Sequence, residues 1–298
     1  MVGVLQERTF IICIEKESLT LIISKGPLLT YTFETGSPII PLLNDDSYYD
    51  HFCEDTDNGD GTTTRKLYVG KEVNKISFGK KIGTSSIKLL NNTKGIKLTS
   101  TNGMFENCSK LTFVKLSNFD TSNVTNMNNM FHSCTSLTSL YFPSNFDTSQ
   151  VTNMSHMFDS CKSLKSLSLS KFNTSKVTSM SGTFTACYNI TSLDLSSFDV
   201  SQVTDMSGMF SSCNLLTSLD LHNFNTSKVT SMNSMFQYCN SLNSLDIRNF
   251  SSASLTDCSD MFKNVPSTCT VYVDKTKFTK TEAECGFTGT FTDVSQQG

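Results

Sequence analysis

Residues 213–236 read CNLLTSLDLHNFNTSKVTSMNSMF, and the spacing of their apolar positions decides the fold. Leu219 and Leu221 flank Asp220, a period of two that predicts a short strand with its leucines facing inward. Val229, Met232, Met235 and Phe236, then Cys239 and Leu242, recur every three to four residues. That spacing predicts a helical turn or two with one buried stripe. Between the two stand Phe224 and Asn225-Thr226-Ser227, residue types that cap a helix N-terminus. The unit therefore reads as strand, turn, short helix and return.

The same unit recurs along the chain. Met-Phe or a variant of it ends at Phe105, Phe131, Phe158, Phe184, Phe210, Phe236 and Phe262, with spacings of 26, 27, 26, 26, 26 and 26 residues. A cysteine follows three residues after the first six: Cys108, Cys134, Cys161, Cys187, Cys213 and Cys239, with Val265 in the seventh slot. One unit cannot bury its apolar stripe alone, but stacked units can, because each residue then lies on its own counterpart. The expected fold is an α/β solenoid with a parallel sheet along one face, its strands about 4.8 Å apart. The single 27-residue repeat places its extra residue at Pro143-Ser144-Asn145, in a turn, where an insertion is tolerated.

The pattern L-x-x-L-D-L-S-x-F-D-T-S-x-V-T-x-M-S-x-M-F-x-x-C is carried most fully by LDLSSFDVSQVTDMSGMFSSC at 193–213. It resembles the BspA-like leucine-rich repeat of bacterial surface proteins and of many surface lipoproteins of wall-less bacteria. The likeness covers about residues 100–264. It implies a leucine-rich-repeat solenoid with a role in adhesion or host contact, and it brings no catalytic residues with it.

Residues 1–75 do not repeat. Their β-rich segments, bounded by Gly, Pro and Asn, predict a small N-terminal β-domain for attachment or assembly. Residues 76–264 form the expected solenoid with its N-terminal cap, and 265–298 a C-terminal cap and tail. Within the last part, Cys269–Asp274 reads as the final strand and Lys277–Cys285 as a short helix, with Phe287 and Phe291 as anchors. The stretch Asp55–Gly61 fails the spacing of a calcium-binding loop and reads as a hairpin turn.

With a net charge of −3, nothing in the sequence predicts nucleic-acid binding, which usually needs a basic stripe. No run of 18 apolar residues occurs, so no membrane insertion is expected. The N-terminus shows no secretory signal pattern, which points to a virion or to synthesis in the cytoplasm without export by a signal. The six-cysteine column lacks zinc-site spacing and reads as buried free thiols. Cys269 with Cys285 is the flank pair expected to be worth testing for a bridge. The methionine column shares the buried stripe and reads as core. No metal or cofactor is expected, and no arrangement of the four histidines suggests catalysis.

The outward strand positions are the candidate ligand face: Ser192, Ser218 and Ser244, with Asp194, Asp220 and Asp246 two residues on. Tyr141, His222 and Arg248 extend it. The aspartate stripe could hold a cation or a basic ligand, or could simply be solvated. The expected function is a non-enzymatic recognition or adhesion module, exposed on a cell surface or virion, whose partner is a protein or glycan. The alternative is a structural virion protein (tail, fibre or capsid decoration) that contacts other subunits of its own assembly. Homo-oligomerisation fits either.

Overall fold

The structure is a computed structural model that describes residues 8–14, 17–23, 29–34, 42–43, 51–60, 62–69, 76–77, 86–92, 98–116 and 119–296. From residue 98 onward it is a parallel β-solenoid of about six turns, each turn about 26 residues long. One ladder runs through Ser100, Asn126, Asn153, Ser179, Asp205, Ser231 and Asp257, each bridged in parallel to the next. A second ladder carries the strands foreseen around Leu219. Ser218–Asp220 pairs with Ser244–Asp246, then Thr270–Val273, then Phe291–Asp293, all in parallel. Nearer the N-terminus, Ser139–Tyr141 pairs with Phe113–Lys115.

The described residues contain no helix, so the expected α/β class is corrected to an all-β solenoid. The backbone of the Met-Phe segment shows why. The N–H groups of Met127, Asn129, Phe131 and Ser133 donate to carbonyls of the next coil, on Asn153, Ser155, Met157 and Asp159. Between them, Met130, His132 and Cys134 donate three residues back, to Met127, Asn129 and Phe131. A helix would instead bond four residues back throughout. Asn129 and Ser133 also hold φ of 55° and 58°, a left-handed conformation that breaks any right-handed helix. The same two turn positions are left-handed in every coil, at Gly103 and Asn107 as at Ser234 and Tyr238. The chain therefore zigzags through tight turns whose inward residues recur at a helix-like spacing.

The expected N-cap is a corner of a different kind. The Asn225 side chain accepts the N–H of Ser227 at 3.1 Å. Buried Thr226 donates to the Ser251 carbonyl at 3.1 Å and accepts the Ser251 N–H at 2.8 Å. Thr121, Thr148 and Thr174 clamp their neighbouring coils in the same way.

The core is a set of columns. Phe105, Phe131, Phe158, Phe184, Phe210, Phe236 and Phe262 stack with centroids 5.2–5.7 Å apart. The cysteine column is buried, as expected, and no disulfide joins its members. Each thiol from Cys134 to Cys239 also donates to the phenylalanine carbonyl of the coil before it, as Cys213 does to Phe184 at 3.2 Å.

The sheet is not continuous along the rod. It divides into a six-stranded and a four-stranded part, with no strand at 166–168 or 192–194. The gap follows the one coil in which Phe142 replaces the usual leucine and crowds Phe146 and Phe172, at 4.7 and 5.0 Å between centroids. The six-stranded part joins the N-terminal strands to the solenoid. Ser86–Asn92 pairs antiparallel with Leu29–Glu34 and parallel with Phe113–Lys115. His51–Asp57 and Thr62–Val69 form the hairpin read from Asp55–Gly61, where Asp57 accepts the Gly59 N–H.

At the C-terminus, Thr270–Val273 is followed by one further strand, Phe291–Asp293. Lys277–Cys285 folds as turns rather than as the expected helix. Phe287 and Phe291 are buried against Phe262, as expected of anchors.

Candidate ligand face

Strand alternation sends Leu219 inward and leaves Ser218 and Asp220 exposed. The same positions face out where no strand is assigned, at Ser166 and Ser168 and at Ser192 and Asp194. Ser244 lies beside Ser218 and Asp246 beside Asp220, and both are half-buried. Tyr141 is 53% exposed and paired in register with Lys115, whose Nζ sits 5.7 Å from the ring centroid. Lys115 thus belongs to this face, at the repeat position that Asp194, Asp220 and Asp246 hold in later coils.

The aspartates are engaged, not idle. Asp194, Asp220 and Asp246 each accept the backbone N–H two residues on, from Ser196, His222 and Arg248, at 3.0–3.1 Å. They close the turn that ends each strand, an ordinary use of Asp side chains in turns. Asp220 also meets His222 Nδ1 at 2.7 Å, and Asp246 is gripped by Arg248 through Nε and Nη2. Burial pulls the Asp220 carboxyl up, but the backbone and ring of His222, with the charge of Arg248, hold it below its usual value. The Ser196 hydroxyl and N–H lower Asp194. The stripe is therefore two internally paired carboxylates beside Asp194. Among the described residues no group of three or more His, Cys, Asp or Glu could hold a metal. The serines at 192 and 218 are the groups on this face least committed to holding the fold.

One cluster went unforeseen. His132 and His156 converge on the buried carboxylate of Asp159, with Nδ1 atoms 3.4 and 3.0 Å from Oδ2. The Ser160 hydroxyl donates to Oδ1 at 2.8 Å. The hydrogen bond to Asp159 raises the pKa of His156. The signal was present in the spacing: His132 and Asp159 both follow the repeat phenylalanine by one residue, so they stack. Tyr188, Leu215 and Tyr238 are exposed in three successive coils, each at a different position of the repeat.

The family described as Mycoplasma protein of unknown function, DUF285, matches residues 99–193 and 178–284, which together span the solenoid. No curated protein and no solved structure matches the chain.

Proposed function

We propose that this chain, which belongs to the DUF285 family of Mycoplasma proteins of unknown function, is a non-enzymatic recognition module whose solenoid face meets a protein or glycan. One observation carries the reading. Both outward strand positions stay exposed through four consecutive coils, from Ser139 and Tyr141 to Ser218 and Asp220. A repeat array with a rigid, extended polar face is suited to binding a partner along its length. The thiols, methionines and phenylalanines of the same coils are taken up by the core. In this reading the N-terminal strands mount the solenoid on a larger assembly at an exterior surface, and the repeats are leucine-rich repeats of the BspA-like type. The L-x-x-L-x-L spacing and the 26-residue period support that finer assignment.

The test is binding of the labelled full chain to intact cells and to a glycan array. The control is a double variant, Ser192→Arg and Ser218→Arg, which alters the face and spares every turn-closing aspartate. Saturable binding that the variant loses is expected. Binding that the variant retains would reject this face. Self-association without binding to any cell or glycan would replace recognition with assembly of the protein's own subunits.

A further inference from the structure

Cys258 and Cys285 sit where other coils place methionine or threonine. Counted from the repeat phenylalanine, Cys258 is four residues before Phe262. Thr101, Met127, Met154, Met180, Met206 and Met232 hold that position in earlier coils. Cys285 takes the seat one residue before the phenylalanine. Its carbonyl accepts the N–H of Phe262 at 2.9 Å, as Met261 accepts from Phe236 and Met130 from Phe105. These two positions touch across coils. The Thr101 hydroxyl meets Met130 Sδ at 3.5 Å, and Thr183 donates to the Met154 carbonyl at 3.2 Å. At the last junction both partners are cysteines, and their Sγ atoms lie 2.7 Å apart.

From this pairing we infer that Cys258 and Cys285 are a disulfide site, a covalent clasp that locks the C-terminal cap onto the last full coil. Cys258 and Cys285 are both in the thiol form here. Closure needs a low-molecular-weight disulfide, RSSR. One cysteine thiolate attacks a sulfur of RSSR and expels RS⁻, which takes a proton. The second thiolate then attacks the mixed disulfide at the protein sulfur and expels the other RS⁻. Two protein thiols become one disulfide, and RSSR is reduced to two RSH.

The pair differs from the rest of the cysteines. Thiols from Cys134 to Cys239 are directed at backbone carbonyls of the preceding coil. Cys269 is buried and donates its N–H to Pro266, as Leu242 does to Cys239. Cys269 with Cys285 is the pair that the sequence offered for testing, but the thiol that faces Cys285 is Cys258. Both are buried, at 5% and 0% exposure, so exchange takes place while the cap is open, during folding or transient release. The bond closes a loop over a separation of 27 residues, which restricts the opened cap. That loop contains Lys275, Lys277 and Lys280.

The experiment refolds the full chain in reduced glutathione alone or with glutathione disulfide, then maps peptides by mass spectrometry without reduction. Trypsin cleavage at Lys280 is timed in both samples. A single new link, Cys258 to Cys285, is expected, with cleavage slowed on the order of a hundredfold. Cys258→Met restores the residue of earlier coils, so it should fold, lose the link and cleave at one rate in both buffers. Two free thiols after oxidative refolding would overturn the proposal, as would Cys285 linked to Cys269. A Cys258→Met chain that still slows on oxidation would also overturn it.

Discussion

At the scale of single residues, the corners of the solenoid depend on side chains that accept a nearby N–H. Asp220 accepts the His222 N–H at 3.0 Å. Replacing Asp220 with Ala removes that acceptor and should cost about 1 kcal/mol in urea unfolding, whereas Asn keeps an oxygen in place and should cost less than half as much. Gly182 makes a sharper case. Its φ is +62°, and a methyl group there would sit 2.4 Å from His156 Nδ1. Gly208 has φ +63° with no contact closer than 3.5 Å. Left-handed strain alone costs roughly 1–2 kcal/mol. Gly182→Ala should therefore destabilise more than Gly208→Ala, and the excess should vanish when His156 is changed to Ser, the residue that coil 234 carries at this position. The hydrogen bond to Asp159 favours protonated His156 in the fold, with the charge of Asp205 acting in the same sense. That contribution is complete below the ordinary value of 6.5 and is lost as pH rises through the higher folded pKa. His156→Asn should flatten the fall in melting temperature between about pH 6 and 8. A wild-type midpoint that instead climbs over that range would show that Asp159 does not hold the protonated ring.

At the scale of the element, the inward positions were legible and the backbone between them was not. Leu219, Val229, Met232, Phe236 and Cys239 all point into the core, as their spacing required. A period of three to four is shared by a helix and by a run of tight turns bonded to the next coil, so periodicity could not separate them. The discriminating signal lay in the polar residues. Asn129, Ser133, Ser160 and Ser212 fall at fixed positions and adopt φ above 50°. Asn tolerates that conformation better than most residues, and Gly takes it freely at 103, 182 and 208. The outward face was readable because alternation in a strand leaves two sides. Its carboxylates were harder to interpret, since one Asp can close a turn and also face solvent. Leu219 is 3% exposed in mid-strand, so Leu219→Asp places an unpaired carboxylate in the core. That change should abolish the cooperative melt seen by circular dichroism. An unchanged midpoint would reject the inward register of this strand.

At the scale of the whole molecule, stability is a sum over interfaces between like coils. Deleting residues 214–239 removes 26 residues, one full period, and joins Cys213 to Asn240 in phase. That chain should still melt cooperatively, at a lower temperature, as a rod about 4.8 Å shorter by small-angle scattering. A deletion two residues shorter shifts every later column against its neighbour and should leave the downstream coils unfolded.

The bonds that stack the coils, such as Phe105 to Met130 and Thr125 to Thr99, run along the long axis of the rod. Under tension between its two ends, such a rod yields one interface at a time. Each detached coil pays out 26 residues of slack, roughly 90 Å at about 3.5 Å per residue. The breaking force is then set by a single coil, whereas the distance travelled before final rupture grows with every coil added. As a tether, the array would absorb a pull as a series of small yields, and the coils not yet reached would keep their faces intact.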